Sequence, residues 1–271
     1  MNKTELVKNA VTLRKQIVDV CYRSKAGHVG GSLSGIDILN VLYNHEMNID
    51  PKEPKKDDRD RFILSKGHIA EALFVTLSNR GFFDASELET FSCAGSKYIG
   101  HPNNKINGVE MNTGALGHGL ALGVGMAIAA KMDHKDYRTY VMMGDGEQAE
   151  GSIWEAAMAA SHYNLDNLVA ILDRNGLQIS GTTEDVMSLK DIKAKWTGFG
   201  FEVIEINGND YDEILDAFDK AKTIKGKPTL ILAHTIKGKG VSFMENEVAW
   251  HHGVLNDEQY HQAMSELGGA V

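Results

Sequence analysis

The chain has 271 residues and a formal net charge of −9, with 42% hydrophobic and 24% charged residues, enough for one substantial core and ordinary for a globular protein in water. No basic block or aromatic-interleaved basic patch is present, which argues against nucleic acid; no apolar run reaches membrane-span length, and the start Met1-Asn2-Lys3-Thr4-Glu5 is too polar for a signal peptide. The two cysteines, Cys21 and Cys93, lack metal-ligand spacing and fit a reduced cytoplasm.

Leu6, Ala10, Leu13, Ile17 and Val20 recur at helical spacing and predict a long first helix, broken at Gly27. A loop over 26–32 follows, then a helix through Ile36, Leu39, Val41 and Leu42. In that setting His28 reads as a helix C-cap or a solvated side chain more readily than as a functional group. The charged, proline-containing run 51–60 predicts a surface connection, Arg61 to Ser65 a strand, and Lys66-Gly67-His68 the start of a helix. A strand end, a glycine turn and a helix N-terminus with Lys66 and His68 beside it make an anion site. Asp84 to Phe91 reads as a short capped helix. At His101-Pro102 the proline holds residue 101 extended and aims its imidazole. Thr113 to Gly119 leads into a helix, Leu120 to Lys131, with almost no polar face, so burial on all sides is expected.

The segment from Val141 to Gly181 organises the rest. The apolar run Thr139 to Met143 ends in Gly144-Asp145-Gly146, and the run Leu168 to Leu172 ends in Asp173-Arg174-Asn175-Gly176-Leu177. Ile153, Ala156, Ala157 and Ala160 between them are helically spaced, giving a strand, helix, strand unit. Such a crossover makes the strands parallel, and ligands collect beyond the carboxyl ends of parallel strands. The Asp145 carboxylate, the Asn175 amide oxygen and the Leu177 carbonyl suit a hard divalent cation whose other ligands come from a phosphate. Glycines 144, 146 and 176 let a bulky anion approach, and Glu147 and Glu150 begin a helix.

Further on, 189–196 and 210–221 predict helices, 201–206 and 228–233 strands, and 257–267 a final polar helix. Lys237 and Lys239, set among glycines after a strand, are phosphate-friendly. Four of the eleven histidines follow glycine, at His28, His68, His101 and His118, which suggests loops converging on a polar or anionic ligand. The alternation predicts a doubly wound α/β fold with a mainly parallel sheet and helices on both faces, as a single domain over 1–271.

Six separated motifs together resemble the diphosphate-binding part of transketolase: Gly27-His28, the run RFILSKGH ending at His68, Gly100-His101, Gly114-Ala115-Leu116, the Gly144-Asp145-Gly146 to Asn175 signature, and Trp250-His251. The resemblance implies thiamine diphosphate held through Mg²⁺, or Ca²⁺ or Mn²⁺, on Asp145, Asn175 and the Leu177 carbonyl. It implies cofactor contacts from His68, Gly114, Ala115, Leu116, Gly146, Glu150 and Lys237, with Glu150 facing an interface. His28, His101 and His251 become substrate-contacting catalytic candidates. The doubled histidine departs from the family's Trp-His-Gly; alignment on Trp250 selects His251, alignment on Gly253 selects His252. The implied reaction is transfer of a two-carbon ketol unit from a ketose phosphate to an aldose. The pyrimidine-binding and C-terminal domains of the family would stand on a partner chain in an α2β2 assembly. Two other classes stay open: an NADP-dependent dehydrogenase, because Gly117, Gly119 and Gly123 loosely match a dinucleotide fingerprint, and a cofactor-binding paralogue without turnover.

Overall fold

A computed structural model describes residues 1–268. In chain order the main elements are α1 (Lys3–Ser24), α2 (Val29–Val41), β1 (Arg61–Leu64), α3 (Ala70–Arg80), α4 (Gly119–Met132), β2 (Thr139–Gly144), α5 (Gly151–His162), β3 (Leu168–Arg174), the short pair β4 (Leu177–Gln178) and β5 (Gly181–Thr182), α6 (Thr183–Met187), α7 (Ile192–Gly198), β6 (Glu202–Asn207), α8 (Tyr211–Thr223), β7 (Thr229–His234) and α9 (Asp257–Glu266). Five strands form one sheet in the order β1-β2-β3-β7-β6, and every neighbouring pair is parallel. This is the α/β architecture expected from the alternation of elements.

The strands read as unbroken apolar runs because both faces are covered. Successive side chains go to opposite sides: Tyr140 and Met142 of β2 join the core beneath α1, α2, α3 and α8, while Val141 and Met143 join the core beneath α4, α5 and α7. Val169 and Ile171 of β3 alternate with Leu168, Ala170 and Leu172 in the same way.

Several boundaries differ from the sequence reading. The expected loop over 26–32 is already helical from Val29, and all thirteen residues of α2 are buried. Its glycines serve close approach, not a turn: a Cβ on Gly30 would stand 2.6 Å from the Trp250 carbonyl oxygen, and one on Gly35 2.7 Å from the Met142 methyl. His28 is the N-cap residue of α2, whereas Lys25, at φ 53°, ends α1. The helices expected to begin at Lys66 and at Glu147 are preceded by 3₁₀ turns over Gly67–Ile69 and Gly146–Ala149. Asp84 caps a 3₁₀ turn by accepting from the Ser86 amide.

The largest departure concerns α4. Leu120, Val124, Ala127 and Ala130 face the core, but Ala121, Gly125, Ala129 and Met132 are exposed, so a helix apolar all round is covered on one side only. Met158 on α5, Tyr163 just after it and Ile179 between β4 and β5 are also exposed. Gly123 is the contact point of α4 with the sheet, and a Cβ there would lie 2.3 Å from the Val141 side chain. Gly123→Ala is expected to lower folding stability by about 1–3 kcal/mol through overpacking; the shift of the urea midpoint measures it.

Candidate functional site

Four adjacent strands deliver their carboxyl ends to one edge of the sheet. The segments after β1, β2, β3 and β7 carry Lys66 with His68, Asp145, Asn175 and Lys237, and these residues line one cleft of about 360 Å³ with Gly114, Leu116, Gly146, Leu177 and His251. The sequence marks Lys66 as part of an anion site but hides its partner. Lys66 is 2% exposed, and its ammonium meets the fully buried Asp173 carboxylate at 2.5 Å. Asp173 also accepts from the hydroxyls of Ser34, at 2.7 Å, and Thr235. Such a set of donors offsets the cost of burying the carboxylate.

Asp145 is 3% exposed. One oxygen accepts from the Gly146 amide at 2.8 Å; the other accepts from the Gly176 amide at 2.6 Å and from the Arg174 guanidinium at 3.1 Å. Burial, with Asp173 close by, raises its pKa above the ordinary carboxylate value. The Asn175 amide oxygen accepts from the Leu177 amide at 3.2 Å, and the Leu177 carbonyl accepts from Lys237 at 3.4 Å. One carboxylate, one amide oxygen and one carbonyl form an oxygen-only donor set that fits Mg²⁺ or a similar hard cation sharing its shell with a phosphate. Among the described residues no cluster of three His, Cys, Asp or Glu offers an alternative cage.

The basic side chains of the lining are Lys66, Lys237, His68 and His251, while His28 and His101 stand just outside it. Lys237 is 2% exposed, and burial together with Lys66 lowers its pKa to about 8. It donates to Nδ1 of His251 at 2.8 Å, which leaves Nε2 of that ring as the protonated nitrogen. His251 stacks on His68 with ring centroids 5.4 Å apart, and His28 meets His68 at 5.1 Å, His251 at 5.6 Å and His252 at 4.6 Å. Burial, reinforced by these neighbours, lowers His28 to about 4, His251 to about 3, and His68 well below its usual value. His101 stands at the rim, its ring against Gly114, whose φ of +152° and lack of a side chain admit it.

Not every expected residue converges here. Ala115 and Glu150 lie outside the cleft lining and are exposed; Glu150 packs on Gly117, where a Cβ would come within 2.6 Å. His118 turns to solvent. Lys239 pairs with Glu245 at 3.4 Å outside the cleft. His251 is in the lining while His252 sits exposed beside His28.

Sequence reasoning missed two supports. Glu147, 1% exposed, accepts from the amides of Gly117 and Gly144 and from the Ser65 hydroxyl, tying three loops together. Gln178, on the β4–β5 hairpin, covers Gly146. The dinucleotide alternative is overturned, because among the described residues no strand leads directly into Gly117, and Gly119 and Gly123 pack against Ser65 and Val141.

Glycines beside an oxygen-only donor set, with buried lysines and histidines at the carboxyl edge of a parallel sheet, define a protein built to grip a diphosphate-bearing cofactor. The sequence matches the family described as the thiamine diphosphate binding domain of transketolase over residues 5–270. The chain belongs to that family. It is 54% identical over 258 residues to an apulose-4-phosphate transketolase subunit of Phocaeicola vulgatus, covering 95% of this chain and 92% of that one. It is 42% identical to a 6-deoxy-6-sulfo-D-fructose transketolase subunit of Clostridium sp., covering 97% and 96%. The crystal structure of Campylobacter jejuni transketolase superposes with a TM-score of 0.94 at 36% identity, over 99% of this chain and 43% of that chain.

The lowered histidine pKa values make a prediction for the chain itself. In the unfolded state these groups titrate near 6.5, so the unfolded chain binds more protons between that value and the folded values of about 4 for His28 and 3 for His251. Their contribution is neutral above pH 6.5 and increasingly destabilising as pH falls below it. The melting temperature of the His28→Gln, His251→Gln double variant is therefore expected to drop less between pH 7 and pH 5 than that of the wild type.

Proposed function

We propose that residues 1–271 are one thiamine diphosphate-binding domain, serving as the N-terminal subunit of a two-chain transketolase that moves a two-carbon ketol unit from an anionic ketose to an aldose. The observation that carries this reading is the single cleft in which Asp145, Asn175 and the Leu177 carbonyl adjoin Lys66, Lys237 and the histidines.

When bound, thiamine diphosphate supplies the electron sink that carbon–carbon bond cleavage next to a carbonyl requires. Asp145, Asn175 and the Leu177 carbonyl would hold Mg²⁺, and Lys237, next to that carbonyl, would add positive charge for the diphosphate. His68 and Lys66 add positive charge and donors to the same anion. His28, His101 and His251 would donate to the substrate carbonyl and exchange protons with its hydroxyls.

Support for a partner comes from two directions. The exposed apolar residues of α4 and α5 and Ile179 leave surface that a second chain would cover. The chain covers more than nine-tenths of relatives named as subunits, but only 41% of human transketolase. The partner would carry the pyrimidine-binding half, in an α2β2 complex. The names of the relatives support an anionic sugar donor, since one carries a phosphate and one a sulfonate. No described helix is long and apolar enough to cross a membrane, and the unpaired Cys21 and Cys93 suit a reducing cytoplasm.

Titration of the reconstituted complex with thiamine diphosphate tests the cation site. Asp145→Ala is expected to weaken Mg²⁺-dependent binding by at least tenfold, roughly 1.4 kcal/mol; unchanged affinity removes Asp145 from the metal shell. Ketol transfer from anionic ketoses is expected only when the purified chain is mixed with a chain bearing the pyrimidine half. Turnover by the chain alone refutes the two-chain reading.

A further inference from the structure

The cleft accounts for Asp145, Asp173 and Glu147, but a fourth buried carboxylate lies behind it with no assigned task. Glu71, in the first turn of α3, is 0% exposed and forms no ion pair among the described residues. Burial raises its pKa, a rise that backbone amides, that of His28 among them, oppose. An acid in the core without a cation is costly, and a glutamine or an aliphatic residue would fill the same space at lower cost.

Its contacts show what that cost supports. One carboxylate oxygen accepts from the backbone amide of His28 at 2.5 Å, and the Cys21 thiol of α1 lies 3.8 Å from the same oxygen. His28 is the N-cap residue of α2 and makes no side-chain cap of its own, so the carboxylate supplies the missing acceptor at the positive end of a thirteen-residue helix. Gly27 makes the approach possible. With φ at +126°, a Cβ there would stand 2.6 Å from the Cys21 sulfur and 3.2 Å from the Glu71 oxygen. The Ser32 hydroxyl lies within reach of the carboxylate and opposes the rise in its pKa, whereas Nδ1 of His28 is buried without a hydrogen-bond partner. A buried imidazole nitrogen left unpaired marks a place where geometry is held for a purpose other than stability.

We infer that Glu71 is a positioning residue for His28, anchoring its backbone from behind so that the imidazole keeps its place among His68, His251 and His252 at the mouth of the cleft. The inference rests on the transketolase reading, in which His28 meets the substrate. Among the described residues no hydrogen bond or ion pair links Glu71 to Lys66, His68, Asp145, Asn175 or Lys237, so it acts on turnover and leaves the diphosphate grip alone.

Three variants of the reconstituted complex test this, each checked by its melting temperature and by thiamine diphosphate titration. Glu71→Gln keeps an acceptor for the His28 amide and is expected to retain most of kcat. Glu71→Met fills the volume without an acceptor, and Glu71→Asp keeps the charge but falls one methylene short. Both are expected to lose about tenfold or more in kcat, the scale set by ångström-level misplacement of a catalytic group, with cofactor affinity and folding close to wild type. Turnover at the wild-type level in a folded Met variant overturns the inference, as does a loss of cofactor affinity in step with kcat. If the Met variant does not fold, the Asp variant decides on the same criteria. A wild-type complex with no ketol transfer at all condemns the functional reading instead, so the two failures are distinct.

Discussion

The contact on which the site depends is the buried pair between Lys66 and Asp173. It joins the end of β1 to the end of β3 across the strand between them, and the lysine stem runs beside Gly144, where a Cβ would sit 3.7 Å from it. Three strand ends are thereby clamped in one plane before any ligand arrives. Removing either partner would leave an uncompensated charge in the core, a situation that typically costs about 3–5 kcal/mol. The same clamp holds the segments that carry Asp145 and Asn175 at one edge of the sheet, where both line the cleft with the lysine. Thr235, from the segment after β7, donates to Asp173 and brings Lys237 into the same frame.

Electrostatically the cleft is a compromise. Its lysines and histidines are crowded together and partly dehydrated, and the histidines respond by remaining neutral. This keeps mutual repulsion low while leaving many donors aimed inward. A diphosphate with its cation would exchange that restraint for direct charge pairing, in a cleft whose walls already stand in place.

Much of this was legible in the sequence because parallel strands advertise themselves. The runs at 139–143 and 168–172 are uniformly apolar, and the polar residues that end them fall at the cleft for purely topological reasons. What stayed hidden depends on partners distant along the chain. Asp173 reads as the start of a turn and Lys66 as a cation awaiting an anionic ligand, since nothing local marks a pair separated by 107 positions. Gly30 and Gly31 look like loop residues because the tight packing of Trp250 and Ile69 against them is invisible in one dimension. The helix α4 misleads in the opposite sense: its apolar composition promises coverage all round, but the chain by itself covers only one side.

The burial of α2 bears on how such a protein can change over time. Every residue of this helix is enclosed, and its glycines at 30, 31 and 35 are each in contact with a different neighbour. Substitution there has almost no neutral room, because nearly any added atom collides. The segments at the cleft mouth are freer: His252 and Val254 are exposed, and a Cβ on Gly100, just before His101, would meet nothing within 4 Å. Change at the cleft is thus sterically open at the rim and closed along the helix that begins at His28.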